Sequence, residues 1–139
     1  MYIILKCASF LIFLLIFLTC KALKSPIQDD KLFGTWHWVE SSGGWSGDTI
    51  TPGIVGYSIK IIFQEDSVYR EYKNDSLIVK MPYRIVRKPY GSLEDERYFL
   101  VLENYHVNQM IEYEDPNKLI LTESCFDCFV NKYVRYSGY

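Results

Sequence analysis

The tightest spacing of reactive side chains in the chain is Cys125-Phe126-Asp127-Cys128. Two thiols at this spacing can cycle between dithiol and disulfide, contribute to a metal site, or staple a turn. A redox pair draws its low thiol pKa from a helix N-terminus. Here Leu119 to Glu123 and Phe129 to Tyr136, both rich in β-formers, flank the motif and place it on a hairpin turn. Zinc asks for about four ligands, and the two histidines, His37 and His106, have no ligand spacing, so no metal is expected. Free thiols and a bridge across the turn remain open, although so small a loop makes demands on disulfide geometry. The carboxylates do not form a catalytic pair: Glu94-Asp95-Glu96, next to Gly91-Ser92, reads as a solvated hairpin tip, and Asn74-Asp75-Ser76 as a turn. With no nucleophile motif near either histidine, no catalytic residue is assigned. The expectation is a protein that is not an enzyme and takes no cofactor.

The aromatic residues are the other source of candidate contacts. Alternation places Trp36 and Trp38 on one face, with His37 opposite. Trp38, Trp45, Tyr57 and Tyr83 could line a ligand pocket, Trp45 from a loop and the tyrosines through hydroxyls that orient a ligand among apolar groups. The competing role for each is to fill a core, as large apolar side chains usually do.

The elements that must position these residues follow from period and composition. The chain has 139 residues, enough for one domain, with 49% hydrophobic and 17% aromatic residues, which excludes disorder and favours strands. A net charge of −2 without a basic patch excludes nucleic acid as a partner. Period 2 dominates: Tyr57, Ile59, Ile61 and Phe63 alternate with Ser58, Lys60 and Gln64; Leu77, Val79, Met81, Tyr83 and Ile85 with Lys80, Pro82 and Arg84; and Val107, Gln109, Ile111 and Tyr113 with His106, Asn108 and Glu112. With Thr35 to Glu40, Val68 to Lys73, Tyr98 to Leu102, Leu119 to Leu121 and Phe129 to Tyr136, eight strands are predicted. Turn signals fall at Glu65-Asp66-Ser67, Asn74-Asp75, Lys88 to Gly91, Asn104-Tyr105 and Asp115 to Asn117. Short connections make neighbours antiparallel, and closing a meander removes its two free edges. The expected fold is therefore all-β, an eight-stranded antiparallel up-and-down barrel, with a β-sandwich as the alternative. One connection, Ser41 to Gly56, is long and carries Trp45, Ile50 and Ile54, and it is expected to fold back over the barrel.

The first 19 residues stand apart. Phe10 to Leu18 are all apolar, Lys6 is the only charge, and the run stops at Cys20. This layout resembles a bacterial lipoprotein signal peptide, although Phe17-Leu18-Thr19 departs from the usual residues before the cysteine; a plain secretory signal or an uncleaved anchor are the alternatives. The resemblance implies cleavage before Cys20, acylation of its thiol, and a polar tether over residues 20–31 leading into a domain over 32–139. Removing residues 1–19 leaves 14 basic and 17 acidic side chains. The implied location is the bacterial cell envelope, as an outer-membrane lipoprotein on its periplasmic or surface face. In such an exported protein disulfides persist, which favours a Cys125–Cys128 bridge.

Phe33-Gly34-Thr35-Trp36-His37-Trp38 is similar to the Gly-x-Trp motif that opens the first strand of lipocalins and related calycin barrels. In that family a long loop over the barrel mouth follows, then seven more strands, the order read here. Tyr133-Val134-Arg135-Tyr136 resembles the last-strand arginine that lies against the motif tryptophan. The resemblance, which extends to lipocalin-like lipoproteins of the Bacteroidetes, implies that Gly34, Trp36 and Arg135 close the barrel. The family's Thr-Asp-Tyr motif is missing. Fold implies function only loosely. The expected function is binding of a small hydrophobic or amphipathic ligand by a monomer held on membrane lipid through Cys20. The alternative is an envelope interaction or inhibitor module with a packed barrel.

Overall fold

The computed structural model describes residues 30–138. The signal segment 1–19, Cys20 and the tether as far as Asp29 lie outside the described residues, as does Tyr139. Nine strands follow in order: β1 Gly34–Gly43, β2 Thr49–Ile50, β3 Ile59–Phe63, β4 Val68–Lys73, β5 Ser76–Tyr90, β6 Ser92–Leu102, β7 Gln109–Asp115, β8 Lys118–Glu123 and β9 Phe129–Arg135. Eight form an antiparallel barrel in sequential order, closed where β1 pairs with β9 from Trp36↔Arg135 to Gly43↔Phe129. Closure excludes the sandwich. The two-residue β2 only flanks the far end of β1, through Ser41↔Ile50 and Ser42↔Thr49.

Local chemistry explains most of the reversals. Asn74 and Asp75 both adopt positive φ, 47° and 65°, between the paired residues Lys73 and Ser76. A two-residue hairpin loop of this type matches the twist of its strands, and Asn and Asp tolerate the left-handed conformation. The Asn74 carboxamide oxygen also accepts from the Ser58 backbone N–H at 2.9 Å, tying this hairpin to the start of β3.

The β5–β6 hairpin is longer than expected. Lys88, Pro89 and Tyr90 belong to β5, the reversal narrows to Gly91, and Glu94-Asp95-Glu96 lies within β6 instead of forming a tip. Opposite charges extend the ladder: Arg87 meets Glu96 at 2.7 Å, and Arg97 meets its own-strand neighbour Asp95 at 2.8 Å. Pro89 is tolerated because this part of β5 has lost its β4 partner, whose pairing ends at Val68↔Pro82. β6 in turn meets β7 only at Phe99↔Met110 and Leu100↔Gln109, so the outer half of the hairpin is a two-stranded arm.

The strands climb steeply around the barrel. From Met81 the partners run through Tyr69 and Phe63 to Gly34, at one end of β1. From Val86, five residues along the same strand, they run the other way through Phe99, Met110, Thr122 and Val130 to Ser42, near the other end. Such stagger is what closing a tilted sheet requires. The inward face supplies Trp36, Trp38, Ile61, Phe63, Tyr69, Ile85, Leu100, Leu102, Ile111, Leu119, Leu121 and Tyr133, which with Leu32 form one core.

Candidate functional site

One end of the barrel is sealed. Trp36 is fully buried, and its indole Nε1 donates to the Leu32 carbonyl at 2.8 Å. The Arg135 guanidinium lies 4.1 Å from the centre of the Trp36 ring. Its Nη1 donates to the Phe33 carbonyl at 2.6 Å and its Nη2 to the Lys31 carbonyl. Gly34 lies beneath this plate with φ +131°, and a Cβ there would meet Nη1 at 2.8 Å. The glycine is therefore required twice, by backbone conformation and by the close approach of the guanidinium.

The opposite end is roofed by the β1–β3 connection, but not by the residue the sequence singles out. Trp45 is 92% exposed in the turn closed by the Gly47 N–H and the Gly44 carbonyl, and Ile54 is also exposed. The expectation that Trp45 folds over the barrel is corrected. Its turn follows directly on the last β1–β9 pair, Gly43↔Phe129, and ends before the chain returns to β1 through β2. The residues of this connection that do pack on the core are Ile50, Val55 at the end of the short helix Pro52–Val55, and Tyr57. Tyr57 stacks on Trp38 with ring centres 6.2 Å apart and planes 21° apart, and Lys73 Nζ sits 3.8 Å from the Tyr57 centroid. Trp38 Nε1 donates to Ser41 Oγ at 2.8 Å, and that hydroxyl donates to Asn131 Oδ1.

The four candidate ligand contacts thus occupy three places. Trp38 and Tyr57 meet at the roofed end, while Trp45 faces solvent. Tyr83 lies against Phe63 at 5.2 Å and donates to the Gln64 carbonyl at 3.3 Å, beside the β3–β4 turn.

Sequence reasoning missed two partly exposed glutamates and two tyrosines at inward-facing strand positions. On β4, Tyr69 faces inward and donates through its hydroxyl to Glu71 Oε2 at 2.7 Å. On β8, Leu119 and Leu121 face inward and are buried, so alternation carries Glu123 to the same side; it accepts from the Phe129 N–H at 3.3 Å. Tyr133 on β9, paired with Trp38 and Leu119, is 8% exposed. Among the described residues nothing bonds to its hydroxyl, yet no fully enclosed side-chain polar atom lacks a partner. The Tyr133 oxygen is therefore not fully enclosed. Burial, followed by the charges of Glu71 and Glu123, raises the Tyr133 pKa far above the ordinary phenol value. Burial likewise raises Tyr69, and Tyr105 is raised by burial and then by Glu123 and Glu71. Tyr105 also lines an open cleft of about 520 Å³ with Tyr83, Leu102 and His106. The signal for the two glutamates was present in the sequence: once Tyr69 and Leu121 face inward, so must Glu71 and Glu123.

Cys125 and Cys128 form a close pair with a Cα separation of 5.4 Å, and Asp127 between them adopts φ 57°. Their sulfurs and a Glu123 carboxylate oxygen lie within 4.8 Å of one another. Three such groups fall short of the four a structural zinc takes. This turn packs on the end of β1, where a Cβ on Gly43 would meet the Cys128 carbonyl oxygen at 2.4 Å.

The barrel fold is compatible with binding a small molecule. No protein-family model, curated protein or solved structure matches the chain.

Proposed function

We propose that this chain is a lipocalin-like binding protein that carries one small hydrophobic or amphipathic ligand in its barrel. In this reading acylated Cys20 tethers a monomer to the outer membrane of a bacterial envelope, Cys125 and Cys128 are oxidised to a structural bridge, and the protein catalyses no reaction. One observation carries the binding reading: the barrel is walled inside by aromatic and aliphatic side chains, and on the largely buried Tyr133 the hydroxyl has no hydrogen-bond partner among the described residues although it is not fully enclosed. A hydroxyl that solvent reaches is open to hydrogen bonding by water or by a ligand. Eight-stranded barrels of this kind have room for one small ligand. The sealed end at Trp36 and Arg135 and the roof of Ile50, Val55 and Tyr57 would leave the ligand a single mouth.

Native mass spectrometry of protein extracted from its own membrane tests both parts. The expected spectrum contains a thioether-linked diacylglycerol on Cys20 and a second, non-covalent adduct lost on denaturation. An unacylated chain refutes the tether. A chain without adduct that also fails to bind a hydrophobic dye saturably refutes the carrier reading.

A second reading, an envelope interaction module, is favoured by one feature. Trp45 and Phe126 are each 92% exposed, on two turns brought together by the Gly43–Cys128 contact. Replacing both with Ser would abolish cross-linking to an envelope protein in that reading and leave ligand binding unchanged in the first.

A further inference from the structure

Two buried apolar residues, Phe99 and Met110, stand outside the barrel core. Alternation with the inward Leu100 and Ile111 turns both to the outer face, where they pair across β6 and β7. They are nonetheless only 5% and 7% exposed. Together they floor an open cleft of about 520 Å³, flanked by Lys88, Pro89 and Tyr90 of the two-stranded arm and by the stretch from Thr122 to Cys125. That volume suits a small molecule. Lys88 brings positive charge to the same cleft, with its Nζ 6.0 Å from the centre of the Phe99 ring.

The cleft has a reactive group in its wall. Cys125 is exposed and lines it; Cys128 is half-buried, with its carbonyl close against Gly43, and does not line it. A disulfide is opened by a thiolate attacking one sulfur, and access decides which sulfur is attacked. Both sulfurs lie within 4.8 Å of a Glu123 carboxylate oxygen, and the Phe129 N–H donates to that carboxylate at 3.3 Å. A carboxylate this close opposes negative charge on a released sulfur.

We propose that this outer cleft captures a small thiol with an apolar body as a mixed disulfide on Cys125. The proposal rests on the oxidised bridge of the reading above and is independent of what the barrel carries. The apolar body lies on Phe99 and Met110 beside Tyr90, and Lys88 favours the thiolate form of the incoming group. Its sulfur bonds to Cys125 Sγ, the Cys125–Cys128 bond breaks, and the electron pair leaves on Cys128 Sγ. That sulfur takes up the proton the incoming thiol gave up, so no outside oxidant or reductant is consumed. Glu123 keeps Cys128 as the thiol, which does not re-close the bridge, because the thiolate is the nucleophile.

The test treats the full-length acylated protein, in a nonionic detergent, with limiting 2-phenylethanethiol or 2-mercaptoethanol. After acid quenching and alkylation with N-ethylmaleimide, peptide mass spectrometry locates each adduct. Each rate is divided by that for an oxidised peptide of residues 123–129, which has the bridge without the cleft. The phenylethyl adduct is expected on Cys125, with the maleimide on Cys128, and a normalised rate at least fivefold above that of mercaptoethanol. Tyr90→Ser, at an exposed wall position, is expected to bring that preference below twofold, with circular dichroism checking the fold. Glu123→Gln is expected to shorten the life of the adduct at least threefold. Adducts shared equally between the two cysteines, or no preference for the apolar thiol over the peptide control, overturn the capture site and leave the bridge standing. Alkylation of both cysteines in untreated protein overturns the bridge, and the capture site with it.

Discussion

Replacing Arg135 with Met removes the plate that seals one end of the barrel while keeping an apolar stem of similar length. Four interactions go, one of them a long, exposed bond from Nε to the Pro116 carbonyl at 3.4 Å that adds little. The bond from Nη1 to the Phe33 carbonyl, 2.6 Å and part-buried, is a charge-assisted bond worth about 1.5–3 kcal/mol. The contact with Trp36 at 4.1 Å is worth about 0.5–1 kcal/mol. The bond to Lys31 is exposed and adds little. Because the groups act together the values do not add fully, and the expected loss is about 2–4 kcal/mol. With a urea slope near 2 kcal/mol/M, the unfolding midpoint should fall by about 1–2 M. Arg135→Lys keeps the charge but loses the planar fork that reaches a carbonyl while stacking, so it should recover less than half of the loss. Combined with Trp36→Phe in a double-mutant cycle, Arg135→Met should show a coupling of about 0.5–1 kcal/mol. A loss below about 1 kcal/mol, or a lysine variant as stable as the parent, would refute the idea that this end is held by guanidinium geometry.

Four further outcomes are expected. Gly43→Ala, at φ +125° with its Cβ forced against a backbone oxygen, should destabilise by roughly 1–3 kcal/mol in thermal melts, whereas Gly47→Ala, whose Cβ meets open space, should cost less. Replacing Cys125 and Cys128 with Ser should lower stability by about 2 kcal/mol from loop entropy if the pair is bridged, and a reductant should produce the same drop in the parent. The raised phenol pKa values of Tyr69 and Tyr133 give stability that is fully present below the unfolded tyrosine value near 10 and is lost as pH rises above it, because the unfolded chain ionises first. Absorbance at 295 nm should show these two tyrosines ionising only as the barrel unfolds. Trp45→Ser and Phe126→Ser should each leave the melting free energy within about 0.5 kcal/mol, since both side chains stand in solvent.

Much of the fold was legible because a half-buried strand writes its burial into alternate residues. Tyr57 to Phe63 and Leu119 to Glu123 display the pattern openly, and Asn74-Asp75 announces a tight reversal through the two residue types that accept positive φ. The β5–β6 arm was not legible. Pro89 and Gly91 read as a turn, and only the loss of the β4 partner beyond Pro82 lets a proline sit in the ladder. Trp45 was misread for a related reason: an apolar side chain on a loop suggests cover, but the cover came from Ile50, Val55 and Tyr57, and the difference lies in where the loop turns.

The sequence by itself determined the all-β class, eight barrel strands and their sequential antiparallel order, because these depend on local period and local turn chemistry. Only the tertiary structure decided which inward residues meet. The ladder between the first and last strands sets Tyr133 between Trp38 and Leu119 and Arg135 against Trp36, and no local signal encodes a register set by closure of the whole ring. The Cys125–Cys128 spacing, the sharpest reactive motif in the chain, ends on a turn at the rim with the Glu123 carboxylate beside it, an approach that only the fold decides.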